Sequence, residues 1–359
     1  MTMKIHQIGE PRIIMSNPLG KHNYFAWPSA ARLQDGTIAV AASGFRIAHI
    51  CPFGKAVISF SKDEGETYTL PSPVIDTVLD DRDAGLCTFG KNGLVFTSFN
   101  NTIEQQRIWN SKNNNPYINA YLDTVTPEQQ APVLGATFKF SYDHGVTFGP
   151  LYISPVTSPH GPIELPDGTI LWVGTTLSYF EKDPGPMKIQ AYRIYADGRT
   201  VFVSEIPPIE IDGEDMESCE PYAFVLKDGT ILCHIRANKI FTTYQTVSTD
   251  GGKTWTVPER LMPDRGGAPV HIMQHSSGVL IASYSVRKQP YGIYMMFSYD
   301  NGKTWDTGHP IYTTDISADL GYPATVELKD GSLITVFYAH PVKGTPAVIM
   351  QQKWSFERD

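Results

Sequence analysis

Apolar positions along the chain occur in short runs separated by Gly, Asp, Asn and Pro, a pattern typical of β-strands joined by tight turns. Several pairs of runs flank an Asp-Gly dipeptide, the preferred two-residue loop of a β-hairpin. The clear copies are ARLQDGTIAV at Asp35, IELPDGTILWV at Asp167, FVLKDGTILCHI at Asp228 and VELKDGSLITVF at Asp330, and looser copies are FGKNGLVFTSF at Asn92 and QHSSGVLIASY at Ser277. The flanking strands are apolar on both faces, which predicts that they are the inner strands of packed sheets.

A second repeat has the form Ser-x-Asp-x-Gly-x-Thr-aromatic. It reads SKDEGETY from Ser61, SYDHGVTF from Ser141, STDGGKTW from Ser248 and SYDNGKTW from Ser298, with a degenerate copy, YADGRTV, at 195–201. The Asp side chain can accept backbone N–H bonds across a turn, and the Gly can adopt a positive φ. Each copy therefore predicts a second type of hairpin, with its aromatic residue packed between sheets.

The six Asp-Gly-type turns recur about every 60 residues along the 359-residue chain. Six units of two hairpins each predict an all-β fold, a six-bladed β-propeller of four-stranded antiparallel blades. The last segment, AVIMQQKWSF, has no turn repeat of its own. We expect it to pair with an N-terminal strand near KIHQIG and to close the ring as one domain over residues 1–359.

The longest interval between turns, residues 100–135, is polar and predicts a loop insertion over one face of the propeller. This insertion is either a lid over a site or a solvated surface loop.

No stretch is apolar enough to cross a membrane, and no secretion signal precedes the first strand, so we expect a cytoplasmic protein. The four cysteines lack metal-binding spacing and are expected to be reduced and mostly buried.

Composition and charge narrow the range of partners and cofactors that we expect. The net charge is −8, and no run of Lys or Arg forms the basic stripe that nucleic acids require. No metal or cofactor motif is apparent, so we expect no cofactor, no metal, no nucleic acid and no membrane partner. The oligomeric state is not readable from the sequence.

With these repeats, the chain resembles the sialidase (neuraminidase) superfamily, whose Asp-box propellers carry both hairpin types. In a propeller, the residues that open the inner strands surround a central pocket. Those residues are Trp27, Arg82 with Asp83, His160, Glu220, the stretch 267–271, and Tyr322.

The resemblance implies a tyrosine nucleophile, an assisting glutamate and arginines that bind a substrate carboxylate. Tyr322 in LGYPATVELKDG matches the nucleophile, and Glu220 in CEPYAFVLKDG matches its partner. Arg236 in LCHIRAN and Arg287 in SYSVRKQPYG match two of the arginines. A tyrosine with a carboxylate base beside it can act as a nucleophile without repelling an anionic substrate.

Two family features are replaced in this chain. The Arg-Ile-Pro motif of the first blade is Ala26-Trp27-Pro28, so Trp27 becomes either a platform for a sugar ring or a plug of the channel. The loop 45–55, where the family carries its acid/base aspartate, contains no carboxylate and offers Arg46, His49 and Lys55. We therefore expect Asp83 to donate the proton, with Asp81 and His160 as alternatives, and Arg46 or Arg82 to assist in binding the carboxylate.

These residues favour a glycoside hydrolase that acts on an acidic sugar of the sialic or uronic type. Two alternatives remain open. One is a lyase on uronic acids in which Tyr322 and His160 move protons, and the other is a propeller that binds glycans without turning them over.

Overall fold

The computed structural model describes residues 3–111, 114–177, 186–262 and 267–358. Its strands form six antiparallel sheets in which neighbours along the chain pair with each other, as hairpin-rich sequences dictate. The first strand, β1, covers Met3–Met15 and does not belong to blade one. Blade one contains the next four strands, β2 to β5. The bounds in blade one are β2 Tyr24–Arg32, β3 Ile38–Arg46, β4 Lys55–Ser61 and β5 Ser72–Ile75, and those in blade two are β6 Arg82–Phe89, β7 Gly93–Phe99, β8 Ala136–Ser141 and β9 Tyr152–Ser154.

Blade three differs because its inner strand is divided into two short pieces that pair with the same neighbour. Its strands are β10 Val156–Thr157, β11 Ile163–Glu164, β12 Ile170–Thr176, β13 Ile189–Ile194 and β14 Thr200–Glu205. A two-stranded hairpin, β15 Glu210–Ile211 and β16 Glu214–Asp215, then leads to blade four. Blade four consists of β17 Ser218–Val225, β18 Ile231–Ala237, β19 Thr242–Ser248 and β20 Glu259–Arg260, with a 3₁₀ turn at Asn238–Ile240.

The last two blades complete the ring. Blade five contains β21 Val270–Gln274, β22 Leu280–Val286, β23 Tyr291–Ser298 and β24 Asp306–Thr314, and blade six contains β25 Gly321–Glu327, β26 Leu333–Ala339 and β27 Val348–Arg358. The N-terminal β1 pairs with β27 as the outermost strand of blade six, with Ile5 opposite Phe356. The predicted closure between the two ends of the chain is therefore confirmed, as is the six-bladed propeller.

The inner strands surround a common axis. Each inner strand contacts the next around the circle, from β2 through β6, β11, β17, β21 and β25 and back to β2. Gly85 of β6 lies so close to blade three that a Cβ there would stand 2.5 Å from the backbone nitrogen of Gly161. Only glycine allows this approach, which explains why the two inner strands meet backbone to backbone.

The two kinds of hairpin lie where the repeats predict. The Asp-Gly-type turns join the first and second strands of every blade, and the Asp boxes join the third and fourth strands of blades one, two, four and five. In the first box, Asp63 accepts hydrogen bonds from the backbone N–H of Thr67 at 2.8 Å and from its hydroxyl at 2.6 Å. Ser61 binds the same carboxylate at 2.8 Å, so this carboxylate holds the turn together.

The predicted loop insertion lies between β7 and β8 of blade two, and its described residues include three helices. They are α1 Ile103–Asn110, α2 Pro116–Leu122 and α3 Pro127–Gln130. Thr102, Asn115 and Thr126 cap their N-termini by accepting backbone N–H bonds. Among the described residues, no helix has the length and apolar character needed to cross a membrane.

Candidate active site

Four of the six inner strands carry a β-bulge just after they open. In each bulge one residue adopts a positive φ: Trp27 at 53°, Asp83 at 41°, Glu220 at 49° and Tyr322 at 51°. Such angles are costly for residues other than glycine, and bulges redirect side chains next to functional sites. The same local distortion therefore places three of the predicted catalytic side chains at one mouth of the channel.

Tyr322 and Glu220 meet although they are separated by 102 residues in the chain. The Tyr322 hydroxyl donates a hydrogen bond of 2.6 Å to Oε1 of Glu220. Arg236 donates from Nη1 to Oε2 of the same carboxylate at 2.8 Å, and its Nη2 donates to Oδ1 of Asn238 at 2.7 Å. The glutamate is thus oriented from both oxygens, one facing the phenol and the other a guanidinium.

The tyrosine is kept neutral in the resting protein. Burial, followed by the negative charges of Glu220 and Asp83, raises the pKa of Tyr322 well above its ordinary value of 10. The phenol cannot ionise in advance at neutral pH. It can lose its proton only to a base that touches it, and Glu220 occupies that position.

Asp83 and Glu220 together line a cleft of about 470 Å³ between blades two, three and four. Burial raises the pKa of Asp83 to about 7, with Arg82 opposing the rise and Glu220 adding to it. Oδ1 of Asp83 is buried and has no hydrogen-bond partner within the described parts of the chain. Asp83 is therefore a carboxyl group that holds a proton near neutrality and has an oxygen available for another partner.

Asp81, the alternative to Asp83, is held by the protein itself. Its carboxylate accepts hydrogen bonds from the backbone N–H and hydroxyl of Thr77, at 2.6 and 3.0 Å, and from Asn100 at 3.3 Å. It is fully buried and does not line the cleft. These contacts give Asp81 a structural role in fixing the loop before β6.

Arg287 lies beside Arg236, since both guanidinium groups pack over the ring of Phe241, at 5.3 and 4.6 Å from its centroid. Arg287 donates from Nε to the Leu320 carbonyl at 3.1 Å and from Nη2 to the Tyr338 hydroxyl at 3.0 Å. The two arginines predicted from blades four and five therefore form one cationic wall next to Tyr322.

Asp319 forms a hydrogen-bonded hub that the sequence analysis did not find. Its carboxylate accepts hydrogen bonds from Tyr24 at 2.8 Å, from Tyr338 at 3.0 Å and from His340 Nε2 at 3.0 Å, and His49 Nδ1 lies 3.3 Å away. Burial opposes ionisation, but the hydrogen bonds from His340 and His49 lower the pKa of Asp319 far below its usual range. The Tyr338 hydroxyl, which donates to Asp319, also accepts the hydrogen bond from Arg287, so the hub helps to hold Arg287 in place.

The predicted binding residues of blades one and two are more deeply buried than the sequence indicates. Arg46 is fully buried and forms an ion pair with Asp80, from Nη1 to Oδ1 at 2.5 Å. The role of Arg46 in binding a substrate stays a prediction, and its guanidinium is directed to Asp80. Arg82 also reaches Asp80, at 3.3 Å, and its guanidinium covers the Trp27 ring at 4.0 Å from the centroid.

Trp27 is 2% exposed, and the guanidinium groups of Arg82 and Arg46 lie 4.0 and 4.7 Å from the centroid of its ring, with the His49 ring at 4.9 Å. Of the two roles considered for Trp27, this position fits the plug, because neither face of the ring is open to a sugar.

His160 does not join the pair of Tyr322 and Glu220. Its fully buried ring stands against Tyr222 and His271, with centroids at 5.4 and 5.2 Å, and burial lowers its pKa well below the ordinary value. The catalytic role of His160 stays a prediction, and its ring packs against these two side chains rather than against Tyr322 or Glu220. Over the described residues, no group of three or more His, Cys, Asp or Glu side chains is arranged to hold a metal ion.

The propeller, its Asp boxes and the Tyr-Glu-Arg cluster define a sialidase-like β-propeller. Residues 124–336 match the model of the BNR repeat-like domain, more than half of the chain, and the protein belongs to that family. A search of curated protein sequences found no match.

Solved structures with the same fold are distant in sequence. A protein of unknown function from Dyadobacter fermentans is 19% identical, with a TM-score of 0.75, and the match covers 98% of this chain and 99% of that one. The Trypanosoma rangeli sialidase bound to the inhibitor DANA is 14% identical, with a TM-score of 0.64 over 92% of this chain and 55% of its own. The NanB sialidase of Streptococcus pneumoniae is 10% identical, with a TM-score of 0.65 over 96% of this chain and 70% of its own. These likenesses establish the fold, and this chain spans about half the length of the trypanosomal enzyme.

Proposed function

We propose that the protein is a glycoside hydrolase that cleaves a glycosidic bond to an acidic sugar of the sialic or uronic type. The observation that carries this proposal is the 2.6 Å hydrogen bond from the Tyr322 hydroxyl to Glu220 beside the cationic wall of Arg236 and Arg287. A buried phenol with a carboxylate base and two neighbouring guanidinium groups fits nucleophilic attack on an anionic sugar.

In the first step, the Tyr322 oxygen attacks the anomeric carbon while its proton passes to Glu220. The bond from that carbon to the leaving oxygen breaks, and the leaving oxygen takes the proton of Asp83. In the second step, the oxygen of a water molecule attacks the anomeric carbon and the water gives one proton to Asp83. The bond from that carbon to the Tyr322 oxygen breaks, and the phenolate takes back its proton from Glu220. Every group then returns to its starting state, as a catalytic cycle requires.

The arginines supply the recognition of the substrate. Guanidinium groups bind carboxylates through paired hydrogen bonds, and the guanidinium groups of Arg236 and Arg287 both lie against the ring of Phe241. Arg82 adds positive charge close to Tyr322. An acidic sugar would place its carboxylate at this wall and its anomeric carbon at Tyr322.

The test is a screen of the purified protein against aryl glycosides of sialic, uronic and neutral sugars, with Tyr322→Phe as the matched control. Hydrolysis of an acidic glycoside that disappears in the Phe variant supports the proposal. Hydrolysis of neutral glycosides only would remove the role of the arginines. Formation of an unsaturated, ultraviolet-absorbing product would assign a lyase instead, and binding without turnover would assign a glycan-binding propeller.

A further inference from the structure

The cleft beside Asp83 has an apolar wall that the proposed reaction does not use. Its surface is formed largely by the side chains of Phe99, Trp109, Pro159, Leu177 and Met187. Among the lining residues that the structure describes there is no Lys or Arg, in contrast to the cationic wall on the side of blades four and five.

The helical insertion provides the aromatic part of this wall. Gln105 and Trp109 are four positions apart in α1, so they lie on the same face of the helix, and both line the cleft. The other face buries Ile103, Gln106 and Asn110. Trp109 is 36% exposed, which leaves part of its ring open to a ligand.

The insertion is anchored to the propeller rather than hanging over it. The ring of Phe53 from blade one packs against Tyr117 and Tyr121 of α2, with centroids at 5.0 and 4.7 Å. The Tyr121 hydroxyl also donates to the Val78 carbonyl at 3.1 Å, and Ile103 joins a buried apolar cluster with Leu79. The helix that carries Trp109 is thus anchored before any ligand arrives, which lowers the entropic cost of binding.

We propose that this cleft is a subsite for an uncharged aromatic or otherwise apolar leaving group, with Trp109 as the stacking surface. This inference rests on the proposed function, because Asp83 can protonate the leaving oxygen only if the leaving group lies in the cleft that Asp83 lines. An anionic group is disfavoured there by Glu220, and an apolar ring gains both burial and contact with the indole.

The test compares benzyl and methyl glycosides of the acidic sugar that the screen identifies. Both leave as alkoxides of similar basicity, so a difference in kcat/KM reports the contact made by the ring. We expect the wild type to prefer the benzyl glycoside by about tenfold. Trp109→Ala should bring this preference close to one by lowering kcat/KM for the benzyl glycoside, and Trp109→Phe should retain most of it.

A second measurement does not depend on turnover. N-phenyl-1-naphthylamine, a neutral aromatic dye whose fluorescence rises in apolar surroundings, should bind the wild type and Trp109→Phe but not Trp109→Ala. Tyr142→Ala, which removes an exposed aromatic side chain of an Asp-box turn, is the control and should bind the dye normally. Circular dichroism checks that each variant is folded.

The combined results distinguish a failure of the subsite proposal from a failure of the proposed hydrolase function. Loss of dye binding in Trp109→Ala together with loss of the benzyl preference supports the inference. Loss of dye binding in a protein that hydrolyses no glycoside supports the apolar cleft and refutes the proposed function. Dye binding or a benzyl preference that is unchanged in Trp109→Ala overturns the inference.

Discussion

Replacing Asp83 by Asn tests the proton donor most directly, because it removes the acidity of this side chain while keeping its size. Burial, opposed by Arg82 and reinforced by Glu220, raises the pKa of Asp83 to about 7 from its ordinary value of 3.8. A difference of about three pKa units corresponds to about 4 kcal/mol of preference for the protonated form in the folded protein.

The difference in stability between the wild type and Asp83→Asn should therefore depend on pH in a defined direction. Because the folded-state pKa is raised, the stability that the protonated form supplies is complete below about pH 4 and is lost as the pH rises through about 7. Asn carries no charge at any pH. The variant should unfold at the same temperature as the wild type near pH 4 and roughly 5 °C higher at pH 8, given the size of the chain.

The activity of the wild type should fall over the same pH range. Asp83 donates only while protonated, so wild-type kcat/KM should fall as the pH rises through about 7, and this limb should be absent from Asp83→Asn. On a methyl glycoside, whose alkoxide needs a proton, kcat should drop by about 10²–10⁴-fold. A 4-nitrophenyl glycoside, whose leaving group is weakly basic, should lose far less.

Asp81→Asn is the matched control, since burial also raises the pKa of Asp81 to about 7 but its carboxylate is bound by Thr77 and Asn100. This variant should alter stability without changing the dependence on the leaving group. Equal losses on methyl and nitrophenyl glycosides in Asp83→Asn, or an alkaline limb that survives the substitution, would refute Asp83 as the proton donor.

The remaining predictions concern the nucleophile, the cationic wall and the buried ion pair. Tyr322→Phe and Glu220→Gln should each lower kcat by about 10²–10⁴-fold with an unchanged circular dichroism spectrum, and normal rates in either variant would exclude the pair from the reaction. Arg236→Met should raise KM for acidic glycosides more than for neutral analogues, as steady-state kinetics can establish. Arg46→Met should destabilise the fold by about 3 kcal/mol in urea unfolding, because it removes the closer of the two guanidinium groups that pair with the fully buried Asp80 and leaves only Arg82; a variant as stable as the wild type would contradict the buried pair.

The fold was predictable because its signals are local and repeated. An Asp-Gly turn and an Asp box each determine a hairpin from a few adjacent residues, and six such units leave one way to bury their apolar strands, as a closed ring. The pair of Tyr322 and Glu220 followed from the same logic. Inner strands that all start at one mouth of the channel bring their opening residues together whatever their separation in sequence.

Burial and long-range partners were not predictable in this way. The charge of Arg46 is neutralised by Asp80, which comes from an irregular segment with no repeat to identify it. The hub at Asp319 collects Tyr24, Tyr338 and His340 from separate strands and loops, and no spacing relates them.

Two further features of the structure, the bulges of the inner strands and the start of α3, are marked by short patterns in the sequence. Proline follows the positive-φ residue in three of the bulged inner strands, after Trp27, Glu220 and Tyr322, and this shared dipeptide pattern marks the bulges. In the insertion, Thr126 is followed by Gln129, and these two residues form the capping box at the start of α3.

The replacement of an arginine by Trp27 moves the positive charge of the site rather than removing it. The Trp27 ring is covered by Arg82 of the next blade, and Arg82 is held there by Asp80 and by the His49 carbonyl at 2.9 Å. Blade one therefore contributes an aromatic surface under a guanidinium that blade two supplies. Arg236 and Arg287 are held separately, by Glu220 and by the Tyr338 hydroxyl. In the proposed reaction, a carboxylate at these two arginines would orient an acidic sugar with its leaving group toward Asp83 and the apolar cleft.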